Sequence, residues 1–485
     1  MRDNLPPASE VFDCLPEPRP DDEALRAAIR AMRAADGVLV GVLDDDPTGS
    51  QSVHGVQVVT VLDEDTYETA LGGAAATCFV LTNSRSLGER DAVQLTTRAA
   101  SGLIAAASRS GARIDLISRS DSTLRGHVMA EVGALAAGRR ERSGRGVDGV
   151  LLIPAFVEAG RLTAADIHWA RTSSGLVPVG ETEFARDPVF GYAASDLRDF
   201  VAEKSGGAIR RDDVASISLA DIRLGGPPRV RDLLAEVREG TWVVVNAAEY
   251  SDLETVACAV LQAEQAGQSF LFRTGPSFVR ALSGLEPRAP LRGQEIRPAA
   301  GRGEHGLIVA GSHVSQTSRQ LAALQVRGGI TGIELDVPAL LNSSGGLNSS
   351  GDAVMATARQ VAGALRQADV LLYTSRALIQ GSSKPDSLAI SRTVSAALAR
   401  ITGLALAARP AWIIAKGGIT SHDVAVQGLG MRRAEVAGQL FDGLISVFRP
   451  ADAAPDAIGM PYVVFPGNVG DDQTLSQAVA ILRAG

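Results

Sequence analysis

The sequence has few cysteines, few aromatic residues and no long apolar segment. Its three cysteines, Cys14, Cys78 and Cys258, are widely spaced, so neither a disulfide framework nor a zinc-binding pattern can be assembled from them. No apolar run reaches the roughly 18 residues that a membrane-spanning helix requires. The first residues also lack the apolar core of a signal peptide. These absences predict a protein of the reducing cytoplasm.

An excess of positive charge is also missing. The chain has 47 Lys and Arg against 55 Asp and Glu, a formal charge of −8, and no basic stripe stands out. A nucleic-acid partner is therefore not expected. An anionic substrate would have to be attracted by local arginines or lysines. The six histidines show no metal-binding spacing.

The length and the apolar pattern predict two α/β domains. A chain of 485 residues is too long for one ordinary core. Strand-like apolar runs alternate with Ala-rich helical stretches, which favours mainly parallel or mixed sheets flanked by helices. We place a Pro/Gly/Arg-rich linker at 284–306, between a first domain of residues 1–283, with an irregular lead-in at 1–21, and a second of residues 307–485. The Asn/Ser/Gly-rich stretch 341–351 is expected to be a mobile surface loop.

A run of three acids follows the first predicted strand, 38–43. The segment Asp44-Asp45-Asp46-Pro47-Thr48-Gly49 places carboxylates and a hydroxyl where they can hold a polyol or a metal. Three adjacent carboxylates repel one another unless a cation, a proton or hydroxyl donors relieve the repulsion. The alternative is an Asx-rich turn in which Thr48 caps the next helix.

Other polar clusters follow further predicted strands. Asn83-Ser84-Arg85 follows one strand, Ser118 to His127 follows another, and Gly160-Arg161 follows a third. Arginine forks bind carboxylate or phosphate, and Asp and hydroxyl groups suit sugar hydroxyls. Asp121 or Ser122 could equally cap the helix that follows. In open α/β sheets ligands bind beyond the carboxyl ends of the strands, so we expect these clusters to lie together.

Three glycine-containing turns in the second half also follow predicted strands. They are Gly311-Ser312, Gly417-Gly418-Ile419-Thr420-Ser421 and Gly467-Asn468-Val469-Gly470. None matches the P-loop or the dinucleotide-binding pattern. Backbone N–H groups and hydroxyls in such turns can hold phosphate, and three of them in one domain favour a nucleotide site.

These segments resemble, in order, those of the four-carbon acid sugar kinase family. Asp45-Asp46-Pro47-Thr48-Gly49 is similar to the family's D-D-x-T-G signature. Residues 119–126 are similar to its K-x-D-S-T-L-R-G segment, with Arg119 where Lys is usual, and the glycine turns resemble its ATP-domain loops. The resemblance implies an N-terminal substrate domain, a C-terminal ATP-binding domain and a site in the cleft between them.

The resemblance also implies an activity. Members of the family use ATP, for which we expect Mg²⁺ as the companion ion, to phosphorylate threonate, erythronate or 3-oxo-tetronate, usually at the terminal hydroxyl. Arg119 in place of Lys, Asp44 in place of a small residue and Pro47 in place of Leu lie near the expected acid pocket, so the particular acid stays open. Asn246 stands where the family often has Asp.

Each residue type in these segments suggests a role. Arg125, with Arg119 and Arg85, would hold the substrate carboxylate, and one of the acids would accept the hydroxyl proton. The predicted catalytic residues are Asp45, Asp46 and Arg125. The predicted substrate ligands are Thr48, Gly49, Arg85, Arg119, Asp121, Ser122, Thr123 and Arg161. The predicted nucleotide ligands are Ser312, Gly417, Gly418, Ile419, Thr420, Gly467 and Gly470. Metal ligands and the oligomeric state, including a homo-oligomer, stay open.

Two other functions fit part of the sequence. Asp44 to Thr48 also matches D-x-D-x-T, the nucleophile loop of haloacid-dehalogenase-type phosphatases, with Asp44 as nucleophile and Asp46 as acid/base. That interpretation leaves 119–126 and 417–421 unexplained. A regulatory protein that binds a sugar acid and a nucleotide without turnover is the other alternative.

Overall fold

The computed structural model describes residues 5–172, 175–297, 300–311, 314–341, 347–375, 384–467 and 469–485. The chain forms two compact units. The first comprises Met1–Gln57 and Leu62–Pro287, and the second comprises Val58–Val61 and Arg288–Gly485. Both units combine helices with a β-sheet, as the sequence predicted.

The strands lie where apolar runs occur. Those up to residue 287 are β1 (Val38–Asp44), β2 (Gln57–Val59, whose last two residues cluster with the second unit), β3 (Thr77–Leu81), β4 (Arg113–Arg119), β5 (Gly149–Ile153), β6 (Arg161–Ala164), β7 (Ile167–Thr172), β8 (Gly175–Pro178), β9 (Ala215–Ile217), β10 (Thr241–Val245) and β11 (Phe270–Thr274). The others are β12 (Leu307–Ala310), β13 (Ile330–Leu335), β14 (Asp369–Thr374), β15 (Ile413–Lys416), β16 (Arg433–Gln439), β17 (Ser446–Asp452) and β18 (Tyr462–Phe465).

Helices connect most of the parallel strands. Those of the first unit are α1 (Ala8–Phe12), α2 (Glu23–Ala35), α3 (Glu64–Leu71), α4 (Glu89–Arg109), α5 (Val128–Ser143), α6 (Leu197–Lys204), α7 (Leu219–Arg223), α8 (Gly226–Ala235), α9 (Tyr250–Gln265) and α10 (Pro276–Leu282). Those of the second are α11 (Ser315–Arg327), α12 (Val337–Leu341), α13 (Leu347–Ala364), α14 (Lys384–Ala405), α15 (Gly418–Asp423) and α16 (Thr474–Arg483). Within the described residues, no helix has the length and apolar character needed to cross a membrane.

Short helical turns complete the chain. The 3₁₀ turns are Ser84–Ser86, Val157–Ala159, Val179–Glu181, Glu183–Arg186, Arg211–Asp213, Gly293–Ile296, Leu406–Ala408 and Pro455–Ala457, and Val424–Gly428 is a π-helical turn. Acidic caps begin several α-helices: Asp22 accepts a hydrogen bond from Leu25 N at 3.0 Å, and Asp63 and Asp196 cap α3 and α6. An unpaired N–H at a helix start finds its acceptor in such a side chain.

The sheet of the first unit brings three of the predicted polar clusters to one edge. Its strand order is β3-β1-β4-β11-β5-β10-β9, and all these neighbours are parallel. Asp44, the last residue of β1, lies opposite Leu81 of β3 and Arg119 of β4, and Arg119 lies opposite Thr274 of β11. The predicted polar clusters after β1, β3 and β4 therefore begin at the same edge, whereas the predicted Gly160-Arg161 cluster leads into a different sheet.

A small antiparallel sheet in the first unit was not predicted. Strands β6, β7 and β8 form it, and Arg161 is the first residue of β6. Trp169 on β7 is 1% exposed and lies in a local cluster with Ala164, Ile167 and Leu219. These strands are short and their alternation is weak, so the sequence offered little to distinguish them from a loop.

The second unit has a mixed sheet. Strands β13, β14, β12, β15 and β18 are parallel in that order, and β17 and β16 continue it antiparallel. Leu291 and Ile296, from the segment expected to be a linker, are buried in this unit's core beside Trp412. The chain from Arg288 onward thus belongs to the second unit, because these two apolar side chains pack there.

The loop predicted for 341–351 was wrong in part. Leu341 ends α12, residues 342–346 lie outside the described range, and Leu347 already begins α13. Val354, Ala358 and Val361 are buried along one face of α13, at the spacing of an amphipathic helix. Burial of that face outweighs the low helix propensity of the Asn, Ser and Gly residues at the helix start.

The buried pair Arg223–Asp252 gives a stability prediction for the first unit. Arg223 contacts the Asp252 carboxylate through Nε at 2.8 Å and Nη2 at 2.9 Å, and Asp252 also accepts the Ala248 and Glu249 N–H groups at 3.0 Å. Asp252→Ala leaves a buried guanidinium unpaired and should lower the free energy of unfolding by about 3–5 kcal/mol. Urea denaturation measures this change.

The exposed pair Arg231–Asp232 provides the control. The Asp232 side chain is 62% exposed, so Asp232→Ala should change the free energy of unfolding by less than about 1 kcal/mol. Equal effects of Asp252→Ala and Asp232→Ala would contradict the assignment of a structural role to the buried pair.

Candidate functional site

The three acids after β1 have three different environments. Asp44 and Asp45 are 0% and 2% exposed, whereas Asp46 is half-buried. Asp46 accepts hydrogen bonds from Thr48 N at 2.9 Å and Thr48 Oγ1 at 2.6 Å, and it pairs with the Arg85 guanidinium. Thr48 therefore stabilises the acidic turn itself and caps no helix, since the next element is β2.

Arg119 lies against the two buried acids. Its Nε is 3.0 Å from Asp44 Oδ1 and its Nη1 is 3.6 Å from Asp45 Oδ1, and its side chain is 4% exposed. A Cβ atom at Gly49 would lie 1.8 Å from Arg119 Nη2, so only glycine leaves room for the guanidinium. The sequence predicted Arg119 and Gly49 as substrate ligands. The geometry instead makes Arg119 an internal partner of Asp44 and Asp45.

Burial controls the protonation of these acids. It raises the pKa of Asp44 to about 8, against the opposing effect of Arg119, so this carboxyl is mostly protonated at neutral pH. Burial also raises the pKa of Asp45. A buried, largely protonated Asp44 is a poor nucleophile, which disfavours the phosphatase interpretation. Neither Asp45 oxygen accepts a hydrogen bond from any residue that the structure describes.

A second ion pair lies beneath this group. Arg273 on β11 donates through Nη1 to Ser118 Oγ at 2.6 Å and to Glu131 Oε2 at 2.5 Å. The other oxygen of Glu131 accepts from Ser84 Oγ at 2.5 Å. Sequence reasoning missed Arg273 and Glu131. The apolar run Phe270–Phe272 was the signal that could have identified β11 and its polar end.

Gly126 lets this pair approach the acids. It has φ of +124°, and a Cβ atom there would lie 2.9 Å from both Arg273 Nη2 and Asp45 Oδ2. Two groups of opposite charge, one from β11 and one from the turn after β1, thus reach the same glycine. A side chain at Gly126 would be strained and would displace one of them.

Asp121 is held ionised by its neighbours. Its Oδ2 accepts hydrogen bonds from Arg125 Nε and Thr123 Oγ1, both at 2.5 Å, and Arg85 Nη1 is 3.6 Å away. Burial opposes ionisation, but the charges of Arg85 and Arg125 outweigh it and lower the pKa of Asp121 to about 2. The predicted capping role is not found, because α5 begins after His127, far from Asp121 and Ser122.

The backbone of this segment is also anchored. His168 Nε2 bonds to Ser122 O at 2.8 Å, and Tyr192 OH donates to Thr123 O at 2.6 Å. Burial lowers the pKa of His168 to about 4, so the ring is neutral near pH 7. Both contacts anchor the backbone between Asp121 and Arg125.

Two guanidiniums share the Phe184 ring. Arg125 Cζ is 5.1 Å and Arg161 Cζ is 5.8 Å from its centroid. Arg125 Nη1 also lies 3.6 Å from Asp187 Oδ2 and its side chain is 24% exposed, while Arg161 Nη1 donates to Ala159 O at 2.9 Å. The loop 181–188 thus places Phe184 and Asp187 against Arg125. This pair of cations suits a carboxylate.

The two histidines beside these clusters bond elsewhere. His54 Nε2 bonds to Glu286 O at 2.9 Å and His127 Nε2 to Leu87 O at 3.0 Å. Both rings therefore support backbone carbonyls. No role in ligand binding is needed to explain them.

The glycine turns of the second unit also follow neighbouring strands. Because β12, β15 and β18 are adjacent and parallel, the turns after them lie at one edge of this unit's sheet. The predicted nucleotide ligands in these turns are Gly417, Gly418, Ile419, Thr420, Gly467 and Gly470. Ser312, the remaining one, lies outside the described residues, as do His313 and Asn468.

The backbone of these turns is closely packed. Gly417 has φ of +107° and donates its N–H to Phe465 O at 2.8 Å. A Cβ atom at Gly311 would lie 2.7 Å from Thr420 Oγ1, so the turn after β12 closely approaches the turn after β15. The Ile419 side chain is 50% exposed. These features fit a phosphate-bearing ligand held by backbone and hydroxyl groups.

No preformed metal cage is found in the described part of the chain. No group of three or more His, Cys, Asp or Glu residues there has an arrangement that could hold a metal ion. Mg²⁺ that enters with a nucleotide takes most of its ligands from phosphate and water, so it does not require such a cage.

Comparison with protein families matches both units. The family model of a sugar-binding N-terminal domain matches residues 40–282, and that of a nucleotide-binding C-terminal domain matches residues 307–475. Together the two models cover most of the chain.

Two curated relatives are kinases. The chain is 26% identical over 312 residues to the D-erythronate kinase of Heliobacterium modesticaldum, covering 62% of this chain and 64% of the relative. It is 27% identical over 269 residues to the D-threonate kinase of Salmonella typhimurium, covering 54% of this chain and 53% of the relative. The matched region spans less than two thirds of either relative.

Solved structures share the fold. A Haemophilus influenzae protein with a domain of unknown function has a TM-score of 0.60 at 18% identity, covering 91% of this chain and all (100%) of its own. A Salmonella typhimurium protein described as a candidate tRNA synthase has a TM-score of 0.64 at 16% identity, covering 90% of this chain and 98% of its own. At these identities the similarity establishes the fold alone.

The raised pKa of Asp44 predicts a pH-dependent stability. Because folding raises this pKa from 3.8 to about 8, the folded state binds the proton more tightly than the unfolded state. The resulting stability is complete below pH 4 and is lost as the pH rises to about 8. Relative to that of Asp44→Asn, the wild-type free energy of unfolding should therefore fall by a few kcal/mol across this window. Each unit of difference between the folded and unfolded pKa contributes at most ~1.4 kcal/mol.

Urea unfolding at several pH values between 4 and 9 measures the difference. Exposed Asp232→Asn is the matched control and should run parallel to the wild type. Parallel curves for Asp44→Asn and the wild type would show that Asp44 titrates normally in the folded protein.

Proposed function

This chain belongs to the four-carbon acid sugar kinase family, and we propose that it transfers the γ-phosphoryl group of ATP to the terminal hydroxyl of a four-carbon sugar acid. The acid would be of the threonate or erythronate type, as the names of the two curated relatives suggest, or of the 3-oxo-tetronate type, as the family resemblance implies. The first unit would hold the acid and the second unit, which includes the predicted linker from Arg288 onward, would hold the nucleotide. The observation that carries the proposal is the gathering of acids and arginines at one sheet edge of the first unit.

Arg125 and Arg161 are the proposed ligands of the substrate carboxylate. Their guanidiniums share one aromatic ring, and Arg125 is partly exposed. Arg119, Arg85 and Arg125 all contact carboxylates of the protein, and Arg125 donates to Asp121 at 2.5 Å, but Arg125 is the most exposed of the three. Arg119 would therefore hold Asp44 and Asp45 in place, whereas Arg85 would link Asp46 to Asp121.

Asp45 is the proposed proton acceptor. Both of its oxygens lack a hydrogen bond to the described residues, and although burial raises its pKa, the charges of Arg85 and Arg119 favour the carboxylate form that a general base requires. As the terminal hydroxyl oxygen bonds to the γ-phosphorus and the bond to ADP breaks, the hydroxyl proton passes to the Asp45 carboxylate. Asp46, Ser122 and Thr123 would orient the substrate around it.

The glycine turns are the proposed nucleotide site. ATP supplies the phosphoryl group, and Mg²⁺ bound with it neutralises the charge on its phosphates. The N–H groups of Gly418, Gly467 and Gly470 and the Thr420 hydroxyl would hold the phosphates, and Gly417, whose own N–H donates to Phe465 O, would provide the turn that presents them. The half-exposed Ile419 offers an apolar surface to the base.

ADP release with Mg-ATP tests the activity. The substrate panel comprises D- and L-threonate, D- and L-erythronate and their 3-oxo forms, with ATP alone as the background. We expect turnover with at least one acid and a rate at least about 100-fold lower for Asp45→Asn. No turnover with any acid, together with a nucleotide-dependent rise in melting temperature, would point to a binding protein and overturn the proposal.

Replacement of Arg125 tests the carboxylate site. Arg125→Ala removes a charge-assisted contact and should raise KM for the acid about 10–100-fold, with KM for ATP within twofold of wild type. Initial rates at varied acid and varied ATP measure both constants. Arg186→Ala removes an exposed arginine one position from Asp187 and should change neither. An unchanged KM for the acid in Arg125→Ala would refute the assignment.

A further inference from the structure

Three buried polar side chains of the second unit converge on the turn after β18. Lys416 ends β15, and Thr317 and Gln320 lie on α11. All three are 0% exposed. Burying a polar group costs free energy unless it is hydrogen-bonded, and lysine is among the residues least often fully buried.

Every hydrogen bond shown from these three side chains ends on a carbonyl of the turn. Lys416 Nζ donates to Pro466 O at 2.6 Å and to Gly467 O at 3.2 Å. Thr317 Oγ1 donates to Gly467 O at 3.0 Å. Gln320 Nε2 donates to Val469 O at 3.0 Å and to Asp471 O at 2.7 Å. The carbonyls of the turn thus face the interior.

Lys416 has no acidic partner among the residues that the structure describes. Its Nζ lies 4.1 Å from the centroid of the Phe465 ring, and burial alone lowers its pKa to about 7. The two carbonyls and the face of the Phe465 ring therefore replace the hydration that the ammonium group loses on burial. If this side chain only filled space, a hydrophobic residue could be buried there at a lower cost in free energy.

Inward carbonyls fix the direction of the N–H groups. In a trans peptide the N–H points opposite to the C=O of the same unit. Holding Pro466 O and Val469 O inward therefore turns the N–H groups of Gly467 and Gly470 outward. Neither N–H donates to another described residue. Gly470 also has φ of +80°, and a Cβ atom there would lie 2.4 Å from Thr474 Oγ1, so the turn accepts only glycine.

We infer that Lys416, Thr317 and Gln320 are positioning residues, which hold the turn after β18 so that the Gly467 and Gly470 N–H groups face the phosphates of the nucleotide. The inference rests on the proposed function, because it takes ATP or ADP as the ligand. The three residues would not contact the nucleotide themselves. The buried lysine would contribute to nucleotide binding without contacting the substrate acid.

Calorimetric titration with Mg-ADP tests the inference. Lys416→Met, Thr317→Val and Gln320→Leu should each weaken ADP binding about 5-fold or more, because the turn loses the bonds that orient it. KM for ATP should rise with the dissociation constant, while KM for the acid stays within twofold of wild type. Thr317→Ser keeps the hydroxyl and should bind ADP like the wild type.

Thr402→Val is the matched control. Thr402 is also fully buried, but its Oγ1 donates to Leu398 O within α14. It should leave ADP binding unchanged. Should Lys416→Met fail to fold, the near-isosteric pair Thr317→Val and Thr317→Ser decides the question.

The outcomes separate the two claims. Tight ADP binding by the wild type and equally tight binding by folded Thr317→Val would overturn the inference and leave the kinase proposal intact. Equal weakening by Thr402→Val would also overturn it, because the effect would then reflect general loss of packing. A wild type that binds no nucleotide and turns over no acid would remove the proposed function and the inference with it.

Discussion

The contact between Arg119 and the two buried acids is the constraint on which the rest of the first site depends. Burying a carboxylate costs several kcal/mol unless a proton or a positive charge compensates it. The register of β1 and β4 sets Arg119 opposite Asp44, and Gly49 leaves the space that the guanidinium fills. Arg119 is thereby fully engaged inside the protein, whereas Arg161 and Arg125, which also pairs with Asp121, are only partly buried and can contact an anion from solution.

The second unit also buries a charged side chain, but compensates it in a different way. Its buried cation, Lys416, is compensated by backbone carbonyls and an aromatic face. The carbonyls that satisfy the lysine are those of a glycine turn, so the arrangement also orients the N–H groups of that turn. In both units a buried charge fixes local geometry next to groups that are suited to bind an anionic ligand.

The sequence predicted the fold class and the strand ends that bear polar residues, because apolar runs followed by polar turns are local signals. It did not predict which ion-pair and hydrogen-bond partners these side chains have in the folded protein. Arg119 and Asp44 are 75 positions apart, and only the pairing of β1 with β4 brings them together. The apolar run of β11 is short, so no strong local signal marks Arg273 as part of the site. The Asn, Ser and Gly residues near Leu347 favour a loop locally, and only the buried face of α13 explains why a helix forms there.

A double-mutant cycle between Arg119 and Asp44 tests the counter-ion role most directly. The free energy of unfolding is measured at pH 9, where Asp44 is ionised, for Arg119→Met, Asp44→Asn and the double variant. If Arg119 compensates the buried acid, the double variant should lose at least about 1 kcal/mol less than the sum of the single losses. Losses that add to within about 0.5 kcal/mol would show that the two residues do not depend on each other and would contradict the account.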